Sequence, residues 1–294
     1  MIIVKLMGGL GNQMFQYAAG RQLALLKSTE LKVDKGLLGG EIQPGVTPRQ
    51  LEINLLNTVI EYAGQHEIDS FKKYSSNSYF RFIQRKMPFI FKNLYFAESG
   101  LQFNPDFFNL PSNVYLDGFW QSEKYFLPFR EKLMQEFIPK QEMNDVNKNH
   151  QSKILSTNSV SIHFRRGDYV TNPEASTYHG VLSMDYYTKA IQEISMKTKD
   201  PHFFIFSDDS LWVKENFKID FPSTFIDNNL GKDAIYDLQL MSSCRHNIIA
   251  NSSFSWWGAW LNNYPDKLVV APKKWFNNSP IDTTDLLPKD WIQL

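Results

Sequence analysis

Four short segments hold the side chains best suited to chemistry. In His163-Phe164-Arg165-Arg166-Gly167-Asp168-Tyr169, two adjacent arginines follow an apolar run. Guanidiniums are planar, permanently charged forks that match phosphate oxygens in pairs, so a phosphorylated ligand is their natural partner. The competing reading pairs Arg165 with a nearby carboxylate such as Asp168 and leaves Arg166 to solvent. His163 is either a hydrogen-bonded core histidine or a group that meets the ligand from the same strand end. In Ser207-Asp208-Asp209, just before a helical stretch, the residues read as caps for first-turn amides, or as a carboxylate that accepts hydrogen bonds from a nucleobase or sugar. Two aspartates could hold a divalent cation, but no His or Glu cluster accompanies them, and no metal is expected.

The third segment, Asn251-Ser252-Ser253-Phe254, opens another helix, where unpaired amides and small hydroxyls make an anion site. Arginines on one side and this helix entrance on the other could hold one diphosphate. Trp256, Trp257 and Trp260 read as core packing. In the fourth segment, Gly8-Gly9-Leu10-Gly11-Asn12-Gln13, Gly9 and Gly11 let the backbone approach a ligand closely, with the amides of Asn12 and Gln13 at the mouth of a helix. The alternative is a plain tight turn. A dinucleotide fingerprint fails because Met14 stands at the third glycine position, and no Gly-Lys-Ser/Thr follows to complete a P-loop. A Gly-x-Ser-x-Gly elbow, a His-Glu-x-x-His pair and a kinase catalytic loop are also missing from the sequence. Asp233 and Asp237, one helical turn apart, read as a solvated face.

These segments need elements to position them. Ile2–Leu6, a glycine-rich loop, a helix over Asn12–Leu26 and a strand over Leu31–Asp34 form a β-loop-α-β opening. From Gly36 to about Lys140 the pattern blurs, with one helix expected near Ser122–Phe137. The polar run between Gln141 and Asn158 reads as a connection between domains. The expected domains are therefore residues 1–150 and 151–294. Beyond the connection, strands at Ser159–Phe164, His202–Phe206, Thr224–Ile226, His246–Ala250 and Lys267–Ala271 alternate with helices at Ser183–Lys197, Ser210–Phe217, Asp233–Cys244 and Phe254–Leu261. This alternation predicts parallel βαβ units, whose ligands bind beyond the carboxyl ends of the strands. Three of the four segments stand at such ends.

The chain has 294 residues, 43% of them hydrophobic and 21% charged, enough to bury a real core. Lys and Arg balance Asp and Glu at 31 each, so no global positive field exists to hold nucleic acid and any anion site is local. A single cysteine, Cys244, excludes an intramolecular disulfide and fits a reducing compartment. No run of apolar residues is long enough to span a membrane, and no signal peptide is read, which predicts a cytoplasmic protein, compatible with peripheral attachment to the membrane.

Read in order, Gly8-Gly9-Leu10-Gly11-Asn12-Gln13-Met14-Phe15-Gln16-Tyr17, His163–Tyr169, Phe206-Ser207-Asp208-Asp209 and Asn251-Ser252-Ser253-Phe254-Ser255-Trp256-Trp257-Gly258 resemble the bacterial-type α-1,2-fucosyltransferases of glycosyltransferase family 11. The resemblance leaves residues 36–159 nearly uncovered. It implies a GT-B-like α/β fold, two Rossmann-type domains facing a central cleft, with the C-terminal domain a doubly wound parallel sheet that binds GDP-fucose without a metal. It further implies that Arg165 contacts the β-phosphate, His163 and Asp208 lie near the guanosine, and Ser252 and Ser253 lie near the phosphates. Arg166, Phe254, Gly9 and Gly11 are counted with the donor-binding set, and Asn12 faces the reacting sugar from the N-terminal domain. The implied acceptor is a galactose-terminated oligosaccharide, lipid-linked or soluble, attacked through its 2-hydroxyl with inversion. No general base is nominated. The alternatives are a glycosyltransferase using another nucleotide sugar and a non-catalytic carbohydrate-binding protein, the latter motivated by the 15% aromatic content.

Overall fold

The computed structural model describes residues 1–39, 48–73, 77–87, 93–277 and 281–294. They fall into two compact units, residues 1–39, Pro48–Phe137 and Ile281–Pro288 in the first, residues 138–277 and Lys289–Leu294 in the second. The division lies between Phe137 and Ile138.

The first unit runs β1 (Ile2–Lys5), α1 (Leu10–Leu26), β2 (Leu31–Asp34), β3 (Glu61–Tyr62), α2 (Gln65–Lys72), α3 (Ser78–Lys86), β4 (Leu94–Ala97), β5 (Val114–Asp117) and α4 (Arg130–Glu136). Its sheet has the order β3-β2-β1-β5-β4 and is parallel throughout. Ile2 pairs with Leu31 on one side and Val114 on the other, and all three are buried, as the short continuous apolar runs of a doubly covered parallel sheet require. Helix α1 is buried along most of its length and lacks a polar stripe. The helix expected over Ser122–Phe137 is instead two 3-10 turns, Glu123–Tyr125 and Leu127–Phe129, followed by α4. Pro128 is the reason: lacking an N–H and clashing with the preceding turn, it cannot lie inside a continuous helix.

The second unit runs α5 (Asp145–Leu155), β6 (Asn158–Phe164), α6 (Gly167–Thr171), α7 (Pro173–Tyr178), α8 (Met184–Ser195), β7 (Pro201–Ser207), α9 (Ser210–Asn216), β8 (Ser223–Ile226), α10 (Ala234–Ser243), β9 (His246–Ile248), α11 (Ser253–Leu261), β10 (Val269–Ala271) and β11 (Ile292–Gln293). Its parallel sheet has the order β11-β10-β9-β6-β7-β8. The polar run read as a connection is α5, with the Asn144 side chain capping its start through the Asn147 amide at 2.9 Å. Its polarity has a structural use. Asn147 is buried and exchanges hydrogen bonds with Asn229 and Asn228, and Asn229 donates to Asp237 Oδ1 at 2.7 Å. Asp237 is thus a buried carboxyl rather than part of a solvated face, and burial pushes its pKa up to about 7 despite the Asn229 bond.

Candidate functional site

The strand order of the second unit fixes where a ligand can enter. From β6 the chain steps outward through β7 and β8, then returns to the other flank of β6 as β9. The connections after β6 and β9 therefore leave in opposite directions and open a crevice at the carboxyl ends of these two neighbouring strands. Arg165 follows β6 and Asn251-Ser252 follow β9.

Arg165 is held in place by protein groups on three sides. Its Nη2 donates to Asp168 Oδ1 at 2.6 Å, its Nη1 lies 2.9 Å from Asp208 Oδ2, and its guanidinium carbon sits 5.3 Å from the centre of the Tyr169 ring. About a fifth of the side chain remains exposed. Burial works against its charge, but the Asp208 and Asp168 carboxylates outweigh this and hold its pKa above the ordinary arginine value. Asp208 also accepts the Arg166 amide through Oδ1 at 2.8 Å, and so ties the end of β7 to the turn after β6. A Cβ on Gly167 would fall 2.5 Å from Asp208 Oδ2, so a larger residue here would displace that carboxylate. Arg166 is anchored separately, its Nε 3.1 Å from Asp209 Oδ2 and its guanidinium 3.3 Å from the centre of the Trp212 ring. Neither arginine points freely into solvent, and the two do not form one fork. Asp209 does cap α9, accepting the Trp212 amide at 3.4 Å.

Tyr169 joins the two sides of the crevice. Its ring lies under Arg165, and its hydroxyl donates to the Asn251 carbonyl at 3.1 Å. Ser252, the next residue, is the N-cap of α11, yet its side chain makes no capping bond, and the first-turn amides of Ser253 and Phe254 have no intrahelical acceptor. Phe254 lies 5.9 Å from the His163 ring. His163 is 4% exposed, and its Nδ1 finds no hydrogen-bond partner among the described residues; the same holds for Oδ1 of Asn251, whose Nδ2 donates to the His179, Gly180 and Trp275 carbonyls. Burial, reinforced by the Arg165 charge and opposed by Asp208, lowers the His163 pKa to about 4. The ring is neutral at pH 7 and can donate or accept. The structure thus brings Arg165, Asp208, His163, Phe254 and the Ser252–Ser253 turn to the carboxyl end of the sheet, while Arg166 is turned toward α9.

Asn12, Gly9 and Gly11 belong to the first unit, where the strand order reverses between β1 and β5. Gly9 is the N-cap of α1, and Leu10 N donates to Glu52 Oε2 at 2.9 Å. Gly8 has φ +77°, and a Cβ on it would lie 2.5 Å from Asn12 Nδ2, so any other residue would be strained and would displace the Asn12 amide. Gln13 is structural: its amide donates to the Gly8 and Gln50 carbonyls and accepts the Glu52 and Ile53 amides, leaving nothing for a ligand. Asn12 Oδ1 accepts from Gln121 Nε2 at 2.8 Å. Gln121 follows Trp120, whose φ of +56° is rare for a bulky residue. The Glu98 carboxylate accepts the Phe119 amide at 2.6 Å and the Trp120 amide at 3.1 Å, which holds that turn. Burial pushes Glu98 up to about 7, with the two amide bonds opposing the rise. Gln121, Glu98 and the bridging role of Tyr169 escape sequence reading. Gln121 and Glu98 lie in the weakly patterned region, and Tyr169 sits inside a motif whose arginines draw the attention.

Among the described residues, no group of three His, Cys, Asp or Glu side chains is arranged to hold a metal, and no helix is long and apolar enough to cross a membrane. Cys244 is buried, and burial raises its thiol well above the ordinary range, as an inert core cysteine requires.

A family model described as glycosyl transferase family 11 matches residues 67–294. The chain belongs to glycosyl transferase family 11. It is 35% identical to the α-1,2-colitosyltransferase of Escherichia coli, an alignment covering 100% of this chain and 98% of the relative. It is also 35% identical to the Escherichia coli O-antigen biosynthesis glycosyltransferase WbnK, over 98% of this chain and 99% of that protein. Arabidopsis thaliana FUT1, solved in complex with GDP, superposes with a TM-score of 0.52 at 11% identity, covering 91% of this chain and 69% of that one. At that identity the likeness concerns the fold, which is GT-B-like with two parallel Rossmann-type sheets. This family 11 protein is accordingly a glycosyltransferase.

Proposed function

We propose that this family 11 enzyme transfers L-fucose from GDP-β-L-fucose to the 2-hydroxyl of a terminal galactose, with inversion. The observation that carries the donor half is the carboxyl end of the sheet, where Arg165, fixed by Asp168 and Asp208, is linked through Tyr169 to the turn that begins α11. In this reading the galactose 2-oxygen attacks the anomeric carbon, the bond from that carbon to the diphosphate oxygen breaks, the hydroxyl proton passes to water, and GDP departs from the opposite face. Negative charge then grows on the diphosphate, where Arg165 and the Ser252, Ser253 and Phe254 turn receive it. A preorganised donor aimed at such charge contributes about 2.7–4 kcal/mol. Asp208 acts mainly by orienting Arg165, and His163, neutral at pH 7, hydrogen-bonds the nucleotide. The family resemblance assigns Asn12 to the reacting sugar, and Gln121 donates to its Oδ1 at 2.8 Å. Because a fixed guanidinium supplies the positive charge, full activity is expected in EDTA.

The α-1,2-colitosyltransferase relative favours one second reading, a donor carrying colitose, which is fucose without its 3-hydroxyl. Incubation with lactose and either GDP-fucose or GDP-colitose, followed by linkage analysis, tests both. A 1,2-linked fucosyl trisaccharide is the expected product. Preference for GDP-colitose would replace fucose by its deoxy analogue, and saccharide binding with no release of GDP would leave only a carbohydrate-binding protein.

A further inference from the structure

The first unit carries a face that the catalytic reading does not use. Residues 70–97 contain no Asp or Glu, whereas Lys72, Lys73, Arg81, Arg85, Lys86 and Lys92 stand within them. In a chain whose charges balance only overall, this is a local block of positive charge along the sequence, with Lys72 paired to Asp34 at 3.0 Å. Helix α3 lies inside it, packed beside the edge strand β4. Tyr79 is 66% exposed and Phe82 59% exposed, and the C-cap residue Met87 is exposed as well. Tyr79, Phe82 and Lys86 follow the spacing i, i+3, i+7, which lines up two aromatic rings and an exposed ammonium on one helix face, while Phe80 and Ile83 are half-buried.

We infer that α3 is a docking face for an anionic lipid surface, with Tyr79, Phe82 and Met87 entering the headgroup–acyl boundary and Lys86 meeting lipid phosphate. Short basic helices with aromatic residues on one face lie in that boundary, held by buried apolar area and by attraction to anionic headgroups. Tyr, with an apolar ring and a polar tip, suits this depth. Charge complementarity favours lipid over a second copy of the chain. A two-fold contact through this face would bring Lys86 toward its own symmetry mate, and no carboxylate from residues 70–97 is present to pair with it.

Co-sedimentation with vesicles tests this without donor or acceptor, so its outcome is separate from that of the proposed reaction. The full chain is expected to sediment with phosphatidylcholine vesicles containing phosphatidylglycerol, to stay in solution with phosphatidylcholine alone, and to be released by raised salt. The variant carrying Tyr79→Ser and Phe82→Ser is expected to bind anionic vesicles about tenfold more weakly, with melting temperature and far-UV spectrum unchanged. Lys86→Glu, which keeps both aromatics, is expected to weaken binding about fivefold. Failure of the wild-type chain to sediment with anionic vesicles overturns the inference, as does equal binding by both variants. A concentration-dependent dimer that Tyr79→Ser with Phe82→Ser dissolves would assign the face to a second copy instead.

Discussion

Arg165 shows how a motif residue and its setting divide the work. The sequence marks it as a phosphate ligand or as the partner of a carboxylate, and the structure makes it the partner of two, Asp168 and Asp208. Carboxylate pairing orients a fork that keeps part of its surface open, so the two readings are compatible. Arg165→Ala should lower kcat/KM about 10²–10³-fold and also cost stability, because Asp168 and Asp208 lose the cation between them. Arg165→Lys separates these effects. Its ammonium retains much of the charge pairing, so the melting temperature should stay near wild type while transfer remains poor, as a point charge cannot reproduce the fork. Thermal melts run beside initial rates would check this; wild-type rates in the Lys variant would remove Arg165 from the reaction. For Asn12, the hydrogen bond from Gln121 makes a sharper test. Gln121→Ala is expected to lower kcat about tenfold in the wild-type background and hardly at all in Asn12→Ala. Additive losses would mean that Gln121 does not act through Asn12. No sequence pattern could identify Gln121, because its importance comes from the positive φ at Trp120 and the Glu98 carboxylate, both set by tertiary packing.

At the scale of elements, legibility followed hydrophobic rhythm. In the second unit the strands β6, β7 and β9 and the helices α8, α10 and α11 lie within a few residues of where apolar runs and caps put them, since each is a single buried run or a capped amphipathic stretch. The first unit was legible in its β1-α1-β2 opening and resisted beyond it, where β4 and β5 are separated by aromatic-rich loops whose period is neither 2 nor 3.6. Helix α5 was hidden by the buried amides that join it to Asn228, Asn229 and α10, since polar residues normally signal exposure. That network has a measurable signature. Asp237 keeps its proton to about pH 7 in the folded chain but only to about 3.8 when unfolded, so the folded form binds more protons between these values and stability falls as pH rises through them. Asp237→Asn, with an amide oxygen still available to Asn229, should flatten stability between about pH 4 and 7 and be more stable than wild type at pH 8, as denaturant unfolding would show. His163 has the opposite sign: its lowered pKa contributes stability above about pH 6.5 that is lost as pH falls toward 4. At the turn after β6, Gly167→Ala should push Asp208 away from Arg165 and weaken GDP binding at least tenfold, readable by calorimetry, while leaving the far-UV spectrum intact.

For the whole molecule, two parallel sheets with the strand order reversing inside each supply the framework, and family 11 membership fixes the reaction class. The sugar transferred is the finer question, since the full-length relatives include a colitosyltransferase. A missing 3-hydroxyl changes few contacts, and a site that hydrogen-bonds that hydroxyl would discriminate strongly while one that does not would accept both. The proposed donor clamp, by contrast, rests on Arg165, whose fork Asp168 and Asp208 fix. Its most direct test is calorimetric titration of GDP, in EDTA, into the wild-type chain and Arg165→Lys. GDP should bind the wild type without a divalent cation and bind the Lys variant at least about tenfold more weakly, the loss expected when a fixed fork becomes a point charge. Equal GDP affinity in the two proteins would contradict the assignment of the carboxyl ends of β6 and β9 as the site that grips the diphosphate.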